Sequence, residues 1–311
     1  MSENATELYP VALPDLEKKL VLTYDSGVMH DGVGAQLQRN YGTYAIARLL
    51  GVIYLHSPLS RVDYQGLTAL KKNFIDPQFH SEFNDLFQFR SDLMPSDEFY
   101  ELNLQDISID TVNRLVAKFD QNAQGGRPYL VQLVLPYGIA DRFPDCYEVC
   151  KGLSPFTLTA REGHALRVAI HVRRGDLLVV DSDRMLPNAY YIQVAQNVAS
   201  TLSVLKVDFQ LELYTEVPYE EFVVQPEHHG ISHRISAPVV VHPEMNRMDD
   251  FSVLPNLVHC INGRAVDCLR GLATADILVM SRSSLSYLGE SSTGTASCCT
   301  TRFGTRRSPR G

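Results

Sequence analysis

His171, Arg173, Arg174 and Asp176 fall within one six-residue stretch, "HVRRGD". Two guanidiniums beside a carboxylate suit an anionic ligand. The planar arginine fork pairs two phosphate oxygens at once and stays charged. Val168, Ala169 and Ile170, just before, read as a short strand buried on both faces of a parallel sheet. The charged group then sits at a strand's carboxyl end, where open α/β sheets bind ligands, and Gly175 permits the turn. Adjacent side chains diverge there, so one arginine is expected to reach the ligand and the other to make a structural ion pair. The plainer alternative is an Arg–Asp pair that only closes the strand end. The letters RGD also spell an adhesion tripeptide, but a strand-to-turn junction is not a protruding loop.

Three other groupings carry weaker signals. "SRSS", Ser281 to Ser284, follows an apolar strand and precedes a helix. Backbone N–H groups and the helix dipole favour phosphate at such a place; a serine N-cap explains the same letters. Asp267 lies in the helix "GRAVDCLRGLATAD". A carboxylate accepts two parallel hydrogen bonds from guanine, whose edge offers adjacent donors that adenine lacks; a solvated helix face is the ordinary place for an aspartate. In "DGVGAQ", Gly32 and Gly34 let a ligand approach the backbone at a helix start. Leu37 stands where the dinucleotide fingerprint needs its third glycine. No metal-ligand set is assigned, and "DSD" at 181–183 reads as a loop.

The elements that must position these groups alternate. "KKLVLTYDSG" is a strand ending near Tyr24. Leu37, Tyr41, Tyr44, Ala45 and Leu49 then recur at helical spacing, Gly51 stops the helix, and "VIYLH" is a second strand. Residues 60–125 give no legible topology; "RPYLVQLVLPYG" is a buried strand and "ADRFPDCYEVCKGLSPF" an inter-domain connection. The strand 167–172 leads to a helix from Pro187 with Tyr191, Val194, Ala195, Val198 and Leu202 on its apolar face. "DFQLELYTE" and "APVVVHPE" are strands, the Asp267 helix follows, and "ILVMSRSSLSY" is a strand turning into a helix. This order predicts two α/β domains, residues 1–160 and 161–288. The remainder, 289–311, is rich in Ser, Thr, Gly and Arg without periodicity and reads as a disordered or aberrant tail.

The 311 residues are 45% hydrophobic and carry a formal charge of −8, a globular composition that excludes a binder relying on a basic surface for nucleic acid. No apolar run is long enough to span a bilayer, and the N-terminus has no signal-peptide pattern. As given, the chain is expected in the cytoplasm; a secretory location would need an N-terminal anchor. Its six cysteines match no common zinc spacing. They read as free thiols, although Cys146 and Cys150 are spaced to bridge in an oxidising compartment.

Together, "HVRRGD" at 171–176, "ADILVMSRSSLSY" at 275–287 and "GVGAQ" at 32–36 resemble the superfamily of α1,2-, α1,6- and protein O-fucosyltransferases. The resemblance is carried mostly by residues 161–288. It implies a GT-B fold: two Rossmann-like domains facing across a cleft, the C-terminal one holding GDP-fucose and the other a glycan or glycoconjugate acceptor. It implies inverting, metal-independent transfer without a cofactor. By the same resemblance Arg173 contacts the diphosphate, with Arg174 and Asp176 in support. His171 lies beside guanine and ribose, Asp267 reads the guanine edge, and Ser283 and Ser284 lie near the phosphates. Gly32, Gly34 and Gln36 face the cleft. No general base is assigned; Asp31 and Asp176 are the candidates. Ala35 replaces a usual asparagine, Leu285 replaces a frequent aromatic, and the pattern breaks near Leu288, so an incomplete C-terminal domain is expected. A non-catalytic nucleotide- or glycan-binding relative is the alternative, and a nicotinamide-dependent oxidoreductase a third reading.

Overall fold

Val168, Ala169 and Ile170 are fully buried because helices cover both faces of their strand. The computed structural model describes residues 20–24, 32–87, 89–92, 100–104, 114, 117, 129–133, 155–156, 165–228, 235–291 and 297–299. The chain divides into two compact units: Met1–Arg61 with His80–Pro155, and Val62–Phe79 with Phe156–Gly311. Val62–Phe79 thus packs with the second unit, although it interrupts the first in sequence.

In the first unit, β1 (Leu20–Tyr24), β2 (Ile53–Tyr54), β3 (Tyr100–Leu104) and β4 (Tyr129–Leu133) form a parallel sheet in the order β2-β1-β4-β3. Helix α1 (Val33–Leu50) joins β1 to β2 and ends at Gly51, whose φ of 61° is a left-handed cap. Leu37, Tyr41 and Ala45 are buried as their spacing predicts, but Leu49 is exposed. Arg48 donates to both Asp92 oxygens at 2.8 and 2.7 Å, and Asp92 also accepts from the Tyr54 N–H at 2.7 Å. One carboxylate thereby ties the end of α1 to β2. A short helix, α3 (Ser81–Leu86), follows in the same unit.

The second unit contains β5 (Leu166–Val172), β6 (Phe209–Thr215), β9 (Leu257–Ile261), β10 (Ile277–Val279) and β11 (Ser297–Cys299), all parallel, in the order β11-β10-β5-β6-β9. Helix α5 (Asn188–Val204) packs Tyr191, Ala195 and Leu202 against Val168, Ile170 and Val172. On the opposite face Ala169 joins Tyr214, Leu278 and Leu272 of α6 (Ala265–Ala273), with Leu285 and Tyr287 of α7 (Ser284–Ser291) packed against them. Alternate residues of β5 therefore feed two cores, the reason its apolar run is unbroken. Burying each valine, leucine or isoleucine among them contributes about 1.5–3 kcal/mol. Both units are mixed α/β with parallel sheets, consistent with Rossmann-like folds.

Three features go beyond or depart from the expected pattern. "APVVVHPE" does form a strand, β8 (Val239–Val241), but it pairs antiparallel with β7 (Phe222–Val224) in a separate two-stranded sheet. Strand β9 was not expected; its Val258 and His259 are exposed, so it lacks the apolar run that marks a buried strand. The segment after Leu288 is not featureless: α7 runs to Ser291, and Ser297–Cys299 pairs with β10. Edge pairing satisfies backbone groups without any apolar pattern. Residues 292–296 and 300–311 lie outside the described residues, as do Cys146, Cys150 and most of the expected inter-domain connection. Among the described residues no helix is long and apolar enough to cross a membrane.

Ile170 touches the α5 core from a strand bonded on both sides. Ile170→Ala should cost about 2–5 kcal/mol, read as a lower midpoint in chemical denaturation.

Candidate functional site

Strand order reverses at β5. From β5 the chain moves outward to β6 and β9, then returns to β10 on the other side of β5. In open parallel sheets ligands bind at such a point, beyond the strands' carboxyl ends. The carboxyl end of β5 carries Arg173, Arg174 and Asp176, while β10 runs into Ser281 to Ser284. Two of the sequence groupings therefore meet at one edge of one sheet.

The two arginines have different surroundings. Arg174 is buried and donates to the carbonyls of Arg173 at 2.9 Å and Leu186 at 3.0 Å, and to Asn188 Oδ1 at 2.5 Å. Its guanidinium also lies 5.9 Å from the centroid of the Tyr191 ring. It clamps the turn to the start of α5. Arg173 remains a quarter exposed, paired with the buried Asp176 and 5.7 Å from the Tyr64 ring centroid. Burial works against the Arg173 charge, but Asp176, Tyr64 and Glu216 outweigh it and its pKa is raised. Arg173 is thus a fixed cation at the sheet edge.

His171 is buried, and its Nδ1 lies 2.5 Å from Ser286 Oγ and 3.5 Å from Ser281 Oγ. Ser286 Oγ also accepts from the Ser281 N–H at 3.2 Å. The three residues lock β5 to the start of α7. Burial, helped by the nearby Arg173 charge, pulls the His171 pKa down to about 3. A neutral imidazole inside the packing is no exposed acid or base. Ser283 is buried and accepts from the Leu285 N–H at 3.2 Å, while its carbonyl accepts from the Tyr287 N–H at 3.1 Å. That is the N-capping role open to it from sequence. Ser284 begins α7 and is half-buried.

The other expected residues belong to other elements. Asp267 sits exposed in the first turn of α6, 3.2 Å from Arg270. Gly32 caps α1 and Gly34 is buried in it, in the first unit. Gln36 is fully buried, its Nε2 donating to the Arg61 carbonyl at 2.6 Å. Asp31 lies outside the described residues.

The sequence reading missed Tyr64 and Glu216. Glu216 follows β6, whose last residue, Thr215, is in register with Val172. Its carboxylate accepts from the Tyr64 hydroxyl at 2.7 Å and the Leu67 N–H at 2.9 Å. Leu67 opens α2 (Leu67–Lys71), which packs beside α4 (Leu177–Val180). Burial raises the Glu216 pKa despite these donors and Arg173. The strand-end rule that singled out Arg173 would also have found Glu216; Tyr64 carries no such signal. Among the described residues no group of three or more His, Cys, Asp or Glu is placed to hold a metal. Cys260 and Cys268 are free thiols, and burial pushes Cys268 up to about 12.

No family model matches the chain, and no curated protein matches it.

An unfolded histidine titrates near 6.5, whereas folded His171 stays neutral down to about 3. Between those values the unfolded chain binds more protons, so this residue makes stability rise with pH and fall on acidification. His171→Gln should flatten that limb by up to about 1.4 kcal/mol per pH unit between pH 5 and 6, measured by urea denaturation at each pH. A second expectation concerns Gly175, whose φ is +48° and whose added Cβ would lie 2.1 Å from Glu216 Oε2. Gly175→Ala should destabilise the fold by about 2 kcal/mol or more, visible as a lowered Tm.

Proposed function

We propose that the chain is an inverting glycosyltransferase of the fucosyltransferase type, moving fucose from GDP-fucose to a glycan or glycoconjugate hydroxyl. The observation that carries this reading is the convergence of "HVRRGD" and "SRSS" at the carboxyl ends of adjacent strands, where strand order reverses. The division of labour between a clamping Arg174 and a partly exposed Arg173 supports it further. The reading carries a GT-B organisation, with donor binding assigned to the second unit.

In this reaction the bond between fucose C1 and the diphosphate oxygen breaks. Positive charge develops on the sugar ring and negative charge on GDP. The acceptor oxygen bonds to C1 from the opposite face and its proton leaves to a base or to solvent. Arg173 stabilises the departing diphosphate, already held in place before charge develops. Asp176 orients Arg173. Asp267 is assigned to the guanine edge, which requires it to exchange Arg270 for the base. His171, Ser283 and Ser284 shape the wall near ribose and phosphates, and Gly32, Gly34 and Gln36 belong to the acceptor-side unit. The reaction needs no cofactor beyond the donor.

A second reading is a binding relative without turnover. Two features favour it: Arg173 is already paired with Asp176, and Ala35 replaces the usual asparagine of the glycine loop.

Calorimetric titration of GDP, with ADP as control, tests donor binding. The wild type should prefer GDP. Arg173→Ala should weaken GDP binding about tenfold or more, and Asp267→Ala should erase the preference over ADP. Fucose release or transfer from GDP-fucose then separates enzyme from binding relative. A folded wild type that binds neither nucleotide overturns the donor-site reading.

A further inference from the structure

We infer that Tyr64 and Glu216 are positioning residues for the Arg173 guanidinium, holding it from a segment that the sequence places inside the other unit. The role in catalysis rests on the reading of Arg173 as the diphosphate contact; the positioning itself does not.

Arg173 follows β5 on irregular backbone, so its strand does not fix the side chain. Its orientation is set from outside. Asp176 pairs with one edge of the guanidinium, and the Tyr64 ring lies 5.7 Å away, within cation–π range. Tyr64 is held in turn by Glu216, at 2.7 Å from hydroxyl to carboxylate. The other Glu216 oxygen accepts from the Leu67 N–H at 2.9 Å, so a single carboxylate anchors the segment at two points.

Two glycine backbones approach that carboxylate closely. A Cβ at Gly66 would lie 2.9 Å from Glu216 Oε1, and one at Gly175 would lie 2.1 Å from Oε2 and 2.6 Å from the Tyr64 hydroxyl. Two glycines at positive φ, 103° and 48°, make way for it. Glu216 is itself fixed at its base. Asn246 Nδ2 donates to the Glu216 carbonyl at 2.9 Å, and the Thr215 hydroxyl donates to the Val172 carbonyl at 2.7 Å. The chain of support runs from sheet register through Glu216 and Tyr64 to Arg173. Such support matters because a charge that must reorient during reaction stabilises the transition state less than one already in place.

The test uses the full chain as wild type, Tyr64→Leu, Tyr64→Phe and Glu216→Ala, with Arg173→Ala to assign the Arg173 Nε–H signal by NMR. Far-UV circular dichroism establishes which variants fold. In the wild type the Arg173 Nε–H should be rigid. Tyr64→Leu and Glu216→Ala should drop its order parameter below about 0.6 and weaken GDP binding about tenfold. Tyr64→Phe keeps the ring but loses the hydroxyl that Glu216 holds, so both should fall between wild type and Tyr64→Leu. If Arg173 stays rigid in folded Tyr64→Leu or Glu216→Ala, the inference is overturned whatever happens to GDP. If order falls in the variants while the wild type binds no GDP, positioning stands and the donor-site reading fails.

Discussion

Parallel pairing in register across β10, β5 and β6 is the constraint on which the rest of this site depends. Ile170 faces Val279 on one side and Val172 faces Thr215 on the other. Three strands running the same way finish along one edge, so whatever follows each strand is delivered to the same place. That brings Arg173, Glu216 and Ser281 into one neighbourhood from three distant parts of the chain. A slip of one residue would exchange the two faces of a strand. The apolar residues that pack on α5 would then exchange places with Ala169 and His171. Core packing and site geometry are thus enforced by the same hydrogen-bond ladder.

Within that frame, side chains of one type acquire different jobs through their partners. A buried guanidinium is costly unless its donors are satisfied. Arg174 meets the requirement with two backbone carbonyls and an amide oxygen, which makes it part of the scaffold. Arg173 meets it with a carboxylate and an aromatic face, and keeps some exposure. His171 and its serine partners are the neutral counterpart, a buried polar joint between β5 and α7. Leaving such groups unpaired would be destabilising, so they specify how helix and sheet fit together.

The carboxylates have two effects. Asp176 and Glu216 hold the Arg173 charge, yet they also reduce the positive field that an anion would meet. Burial raises the Glu216 pKa, while its carboxylate still accepts from Tyr64 and the Leu67 N–H. On the proposed function, the site trades some electrostatic attraction for a fixed geometry.

Much of this protein was legible from one sequence. Apolar or alternating runs marked β1, β4, β5, β6 and β10, and helical spacing marked α1 and α5, because these elements bury repeated side chains. The position of "HVRRGD" at a strand's carboxyl end was also readable, since it follows from local order alone. Strand β9, the pairing of β7 with β8 and the edge strand β11 were not, because each is defined by backbone partners supplied elsewhere. Nor was Tyr64, a lone aromatic in a stretch without periodicity that packs with the second unit. The sequence by itself determined which segments are strands and helices with covered faces, and which residue types could hold an anion. Tertiary structure alone decided which arginine clamps, which stays partly exposed and what holds it, because hydrogen bonds and cation–π contacts depend on distances between residues far apart in the chain.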